Sequence, residues 1–127
     1  MLAVILTPVI TRADNIVVAN LGNREIIKFD SSGQWTQMVI FSSGLPSGTA
    51  ADTNGNLYVA NEGNNAIEKF DANGNETLFA TNTSGSLNNP VGLVLDSSGN
   101  LYVANMGNNT IEKFDANGNG TLFATNT

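Results

Sequence analysis

The sequence predicts an all-β chain: a partial β-propeller of about three four-stranded antiparallel blades in an incomplete ring. Three observations carry this. A block of about 44 residues repeats almost unchanged, the strands inside it are short and separated by turn residues, and its most apolar strand is apolar on both faces.

The repeat comes first. Asn56-Leu57-Tyr58-Val59-Ala60-Asn61 returns 44 residues later as Asn100-Leu101-Tyr102-Val103-Ala104-Asn105, and an earlier copy reads Asn15-Ile16-Val17-Val18-Ala19-Asn20. Residues 56–83 and 100–127 agree at every position except Glu62/Met106, Ala66/Thr110 and Glu76/Gly120. Duplication is the source of such identity. The units are 15–55, 56–99 and 100–127, within a propeller region 14–127.

Each unit reads as four strands. The first is Val91 to Asp96, with a weaker copy at Thr49 to Asp52. The second is Leu57 to Ala60, the third Ile67 to Phe70, and the fourth Thr77 to Ala80. Leu57-Tyr58-Val59-Ala60 is apolar on both sides, as suits a strand clamped between two neighbouring blades. Counted from Ile16, the units hold three, four and four strands, so the first lacks its innermost one. Asp-x-x-Gly marks the turns at Asp30 to Gly33, Asp52 to Gly55, Asp71 to Gly74, Asp96 to Gly99 and Asp115 to Gly118. The Asp caps the following amides, and the Gly takes the left-handed conformation that closes the hairpin.

Composition narrows the function. The 127 residues include 11 acidic and 5 basic ones, which leaves no basic footprint for nucleic acid. There is no cysteine and no histidine, so within this sequence thiol catalysis and a Ser-His-Asp relay lack their groups, as does the usual zinc site. Met1 to Ile10 is nearly all apolar and is followed by Thr11-Arg12-Ala13. Residues 1–13 read as the remnant of a signal peptide, too short to span a membrane, and imply a secreted or periplasmic protein.

With these residues in view, Gly92 to Asn105, then Gly107-Asn108-Asn109-Thr110-Ile111 and Phe114-Asp115, resemble an NHL repeat. The resemblance covers about residues 15 to 127. It departs at Asn105, where the family often has Asp, and at Asn109-Thr110, where a basic pair is common. The second departure weakens a carry-over from RNA-binding members. More remotely, the chain is similar to six-bladed lactonase-like propellers. That similarity implies a divalent metal at the central mouth, with Glu62, Asn61 and Asn105 as the candidate ligands, although no carboxylate cluster accompanies them. Streptogramin-lyase-like propellers need a catalytic histidine that is missing from this sequence.

Because strand direction alternates, the five Asp-x-x-Gly turns share one face of the disc. The opposite face carries the turns Asn20 to Asn23, Asn61 to Asn64 and Asn105 to Asn108, with the crossovers Ser42 to Gly48 and Asn82 to Gly92. Sites favour variable loops on a rigid scaffold, so this crossover face is the expected binding face. Leu21, Glu62 and Met106 are equivalent yet differ while their surroundings barely change, which makes them the expected specificity residues, beside Asn61 and Asn105. No catalytic set and no cofactor is read here. The expected function is an exported scaffold that binds a protein, glycan or small ligand. The rivals are a metal-dependent hydrolase and a propeller fragment without a function of its own. Two further expectations concern packing. Lys28 should meet Glu68, and Lys69 should meet Glu112, across adjacent blades. The apolar end faces of the array should be covered, in a homo-oligomer or as part of a longer propeller.

Overall fold

A computed structural model describes residues 16–41, 43–84 and 86–126. Eleven strands among them form three antiparallel sheets. The first sheet is β1 (Ile16–Asn20), β2 (Glu25–Phe29) and β3 (Trp35–Ile40). The second is β4 (Pro46–Ala51), β5 (Leu57–Asn61), β6 (Ala66–Phe70) and β7 (Glu76–Thr81). The third is β8 (Pro90–Leu95), β9 (Leu101–Asn105), β10 (Thr110–Phe114) and β11 (Gly120–Thr125). Every sheet is a meander in chain order. The expected three, four and four strands are therefore present, and the architecture is a partial propeller. The segment proposed as a signal remnant lies outside the described residues.

Repetition extends to register. Tyr58 faces Lys69 as Tyr102 faces Lys113, and Leu57 faces Phe70 as Leu101 faces Phe114. The third-to-fourth strand pair slips by one residue in each sheet, after Ile67 and Ile111 in the second and third sheets and after Lys28 in the first.

One boundary differs from the sequence reading. The second sheet's inner strand begins at Pro46 rather than Thr49, and β8 begins at Pro90. Pro46 pairs with Asn61 and Pro90 with Asn105, and an irregularity follows each. A proline at the first strand residue gives up no ladder donor, so Pro-Ser-Gly and Pro-Val-Gly are strand starts. The true crossovers are correspondingly shorter than Ser42 to Gly48 and Asn82 to Gly92.

The turns follow the sequence reading. Gly33, Gly55, Gly74, Gly99 and Gly118 all have φ between 82° and 86°. In each turn the Asp side chain accepts backbone N–H groups two and four residues on, as Asp71 does from Asn73 and Asn75, both at 2.9 Å. Asp30, Asp52, Asp96 and Asp115 do the same.

Apolar packing lies between sheets. Ile26, Phe41, Leu57, Val59 and Phe70 fill the gap between the first and second sheets, with Val17, Ala19 and Val39 against them. Tyr58, Ala60, Ile67, Ala80, Leu87, Leu101, Val103 and Phe114 fill the gap between the second and third. Alternate residues of β5 thus serve opposite interfaces, which is why this strand is apolar on both faces.

The expected lysine–glutamate ladder does not form as pairs. Lys69 and Glu112 do face the same interface, but the Lys69 ammonium lies 5.4 Å from the centre of the Tyr58 ring, as Lys113 lies 5.7 Å from that of Tyr102. Both carboxylates turn inward instead. Glu112 accepts the Ser86 N–H at 2.7 Å, and Glu68 accepts from the Asn61 amide at 2.7 Å. A cation above a cross-strand ring keeps its hydration on the outer side, and a backbone N–H offers the carboxylate a fixed donor.

Candidate functional site: the crossover face

The face carrying the second-to-third strand turns is organised by two buried asparagines. Asn61 ends β5 with no exposed surface. Its Oδ1 accepts the Leu45 N–H at 3.0 Å, and its Nδ2 donates to the Ser43 carbonyl at 3.3 Å and to Glu68. Asn105 ends β9 and is equally buried. Its Oδ1 accepts the Asn88 N–H at 3.2 Å, and its Nδ2 donates to Thr110 Oγ1 at 3.2 Å. Asparagine suits this position because one short side chain offers both an acceptor and donors to an incoming crossover.

Backbone bonds complete the strap. The Glu62 N–H donates to the Leu45 carbonyl, the Met106 N–H to that of Asn89 and the Gly107 N–H to that of Asn88. Asn64 Nδ2 reaches Ser43 Oγ, and Asn108 Nδ2 reaches the Ser86 carbonyl. Asn65, left-handed at φ 52°, accepts the Asn89 N–H at 2.7 Å and ties the second sheet's turn to the crossover entering the third. Ser43, Leu45, Ser86, Asn88 and Asn89 of the crossovers are thus tied to the turns beside them.

The five singled-out residues separate into two kinds. Asn61 and Asn105 are interior, with side-chain oxygens taken by the chain's own amides. Leu21 and Met106 stand out, 45% and 57% exposed, and Glu62 is half-exposed on a short 3-10 turn, Glu62–Asn64. The ligand set implied by the lactonase-like similarity therefore does not fit this geometry. Asn61 and Asn105 have no oxygen turned outward, and among the described residues no three carboxylates or other strong ligands converge. Nor is any described helix long and apolar enough to cross a membrane.

Two features escaped sequence reasoning. Glu68 and Glu112 are interior carboxylates, although Ile-Glu-Lys-Phe mixes apolar and charged residues. Burial raises the Glu68 carboxyl above its ordinary pKa, opposed by the Asn61 hydrogen bond and aided by the nearby Glu76 charge. Its second oxygen, Oε2, is buried with no partner. A hollow of about 450 Å³ lies on the other face, between the innermost turns at Asp52–Asn54 and Asp96–Gly99. The carboxylates of Asp52 and Asp96 are already engaged by their own turns there.

Comparison with known proteins agrees with this architecture. The NHL repeat family pattern matches residues 44–70 and 87–114. No curated protein matches the sequence. Among solved structures, virginiamycin B lyase from Staphylococcus aureus superposes with a TM-score of 0.75 at 21% identity, over 89% of this chain and 38% of that one. A catalytically inactive variant of the Staphylococcus aureus enzyme with quinupristin gives 0.76 at 18%, over 97% and 41%. A luciferin-regenerating enzyme gives 0.63 at 18%, over 79% and 35%. The chain thus spans about two fifths of the lyases it resembles, and identities this low speak for the fold alone. Each matched stretch covers a sheet's inner three strands, so the NHL repeat pattern falls on β4 to β6 and on β8 to β10 of a β-propeller arrangement.

Proposed function

We propose that this chain is an exported, non-catalytic binding module that takes a protein, glycan or small ligand on its crossover face. One observation carries the reading. Three equivalent positions, Leu21, Glu62 and Met106, project from turns of nearly constant sequence, and two of them expose large apolar side chains. A scaffold whose face varies at a projecting turn position while the rest of the turn is kept is suited to presenting those side chains. Export rests on the apolar run before Thr11-Arg12-Ala13. The similarity to lyases brings no reaction with it, because this sequence holds no histidine or cysteine and its projecting residues form no acid–base pair.

Glycan and peptide arrays test the reading, using wild type and the triple variant Leu21→Ser, Glu62→Ser, Met106→Ser. The expected result is a ligand bound by wild type and lost at least tenfold in the variant at unchanged melting temperature. A parallel thermal-shift series with calcium, magnesium, manganese and zinc addresses the hydrolase. A rise of several degrees with one metal, abolished in Glu62→Ala, would overturn the binding-only reading.

A further inference from the structure

The third sheet's outer face is a preformed copy of a face that the second sheet buries. Tyr58, Ala60, Ile67 and Phe79 lie against the third sheet, and Tyr102, Ala104, Ile111 and Phe123 occupy the equivalent positions one repeat later. The aromatic pair is already set in both. Tyr58 and Phe79 meet edge to face at 5.0 Å and 83°, and Tyr102 and Phe123 do so at 5.0 Å and 81°. Yet Ile67 is fully buried while Ile111 is 39% exposed, and Phe123 is 59% exposed. Around them lies an apolar depression of about 400 Å³, which also takes in Gly92, Leu93 and Val94.

Gly92 is informative. Its counterpart Gly48 must be glycine, since a Cβ there would fall on the Val91 carbonyl oxygen of the next sheet. A Cβ on Gly92 would meet only Ala104, at an ordinary 3.6 Å. Nothing among the described residues approaches Gly92 as the third sheet approaches Gly48.

At the other end, the first sheet turns outward the counterparts of what the third sheet presses on the second. Ile16, Val18 and Phe29 correspond to Leu101, Val103 and Phe114. Ile16 and Val18 are exposed, as is Trp35, which pairs with Phe29. Ile27 stands where Glu68 and Glu112 stand in the inner interfaces, so this face brings no carboxylate at that position.

We propose that these two faces dock on each other between two copies of the chain, head to tail. Ile16, Val18 and Phe29 of one copy cover Tyr102, Ala104, Ile111 and Phe123 of the other. The contact is continuous with the interface between the second and third sheets and repeats its residues. Two copies of the three described sheets bring six together, within the about four to eight blades at which propellers close. Such a contact is heterologous, and the ring closes it.

Light scattering after size exclusion tests the proposal, alongside the emission of Trp35, the single tryptophan. Wild type should run at twice 13.3 kDa. Ile111→Glu on one face and Val18→Glu on the other should each run at half that mass, with wild-type circular dichroism. Both sites are already solvated in the single copy, and Phe123→Lys with Ile16→Lys serve as second variants. An equimolar mixture of the two variants should regain the doubled mass, because one wild-type contact reforms. Trp35 emission should shift to the red in Ile111→Glu, although the substitution lies at the opposite end of the same chain. A folded wild-type monomer would overturn the proposal and assign these faces to sheets of another kind. So would loss of association in Ile111→Glu but not in Val18→Glu, which would mean tail-to-tail pairing, or a mixture that stays at single mass.

Discussion

The two sheet–sheet interfaces of this chain use the same repeat yet settle one buried carboxylate differently. Between the second and third sheets, Glu112 takes the Ser86 N–H, and the inner strands β4 and β8 lie side by side. Ser47 Oγ ties them by donating to the Pro90 carbonyl at 3.0 Å. Between the first and second sheets, Glu68 has only the Asn61 amide, one oxygen is left over, and β4 lies beside β1. The difference arises in the crossovers. The segment entering β8 is long enough to lay Ser86 across the third strand's Glu, whereas the shorter segment entering β4 brings its Ser43 carbonyl to Asn61 instead. Burial and polar satisfaction here are set by the loop that arrives, not by the strand that receives it.

The largest expected effect separates the interfaces by packing. Phe114 is fully buried at the centre of the second cluster and lies near Phe79, whereas Phe41 caps the edge of the first against Phe70. Phe114→Ala should cost about 3–5 kcal/mol in urea unfolding. Phe41→Ala should cost less than half of that. Equal losses would mean that the two interfaces are equivalent despite their different polar fittings.

Next come two glycines with the same backbone. Gly33 and Gly118 have φ of 84° and 82°, but a Cβ at 33 meets nothing, while one at 118 falls on the Phe79 carbonyl across the second interface. Gly33→Ala should lose only the left-handed strain, about 1 kcal/mol. Gly118→Ala should lose at least twice as much, and similar melting temperatures for the two would place the third sheet's turn away from the second sheet.

Much of this was legible in the sequence, and the rest was hidden for a definable reason. The repeat fixed the strands, the turn glycines and the inner and outer sides, because those depend on local spacing. The inward Glu68 and Glu112 were not legible from Ile-Glu-Lys-Phe, since alternation says which side a residue faces but not what waits there. Asn61 and Asn105 read as surface groups because turn asparagines usually are, and only the crossover's return makes them interior. Tyr58 and Tyr102 stand in identical hexapeptides, yet one is buried and the other half-exposed, since burial belongs to the neighbouring sheet.

The carboxylates give the next contrast. Glu68→Gln keeps an acceptor for Asn61 and removes a charge held in a poorly solvated place, so it should stabilise the protein at pH 7 by on the order of 1 kcal/mol. The sign fixes the pH window. Burial raises the folded-state pKa of Glu68, so ionisation costs the folded state more than the unfolded one as pH rises past the ordinary 4.5. The advantage of Glu68→Gln should therefore fade below about pH 4.5. Glu112→Gln weakens a charge-assisted bond from Ser86 and should not stabilise the protein at pH 7. A gain at Glu112 equal to that at Glu68 would erase the contrast.

The smallest effect belongs to the turns and should be the same at both interfaces. Asp71 and Asp115 are held below their ordinary pKa first by the side-chain amides of Asn75 and Asn119, then by the backbone N–H groups they cap. Asp30 and Asp96 are lowered by the same arrangement, with Ser32 and Asn100 as first partners. A depressed folded-state pKa contributes stability that is present above the unfolded value of 3.8 and is lost as pH falls through the folded one. The turns thus lose their contribution in acid, below pH 3.8, while Glu68 ceases to cost the fold over a window reaching up from pH 4.5. Stability should therefore rise slightly as pH drops toward 4.5 and fall once it passes below 3.8. In Glu68→Gln the rise should vanish and the fall remain. Asp71→Asn and Asp115→Asn should each weaken the acid fall a little and to a similar degree, because the two turns are identical in sequence from Asp to the following Gly-Asn and cap the same amides. Melting temperatures taken every half pH unit between 3 and 7 decide this. A steeper acid fall in Asp115→Asn than in Asp71→Asn would show that the close approach of Gly118 to the Phe79 carbonyl of the second sheet, and not the local cap, sets the value of the aspartate.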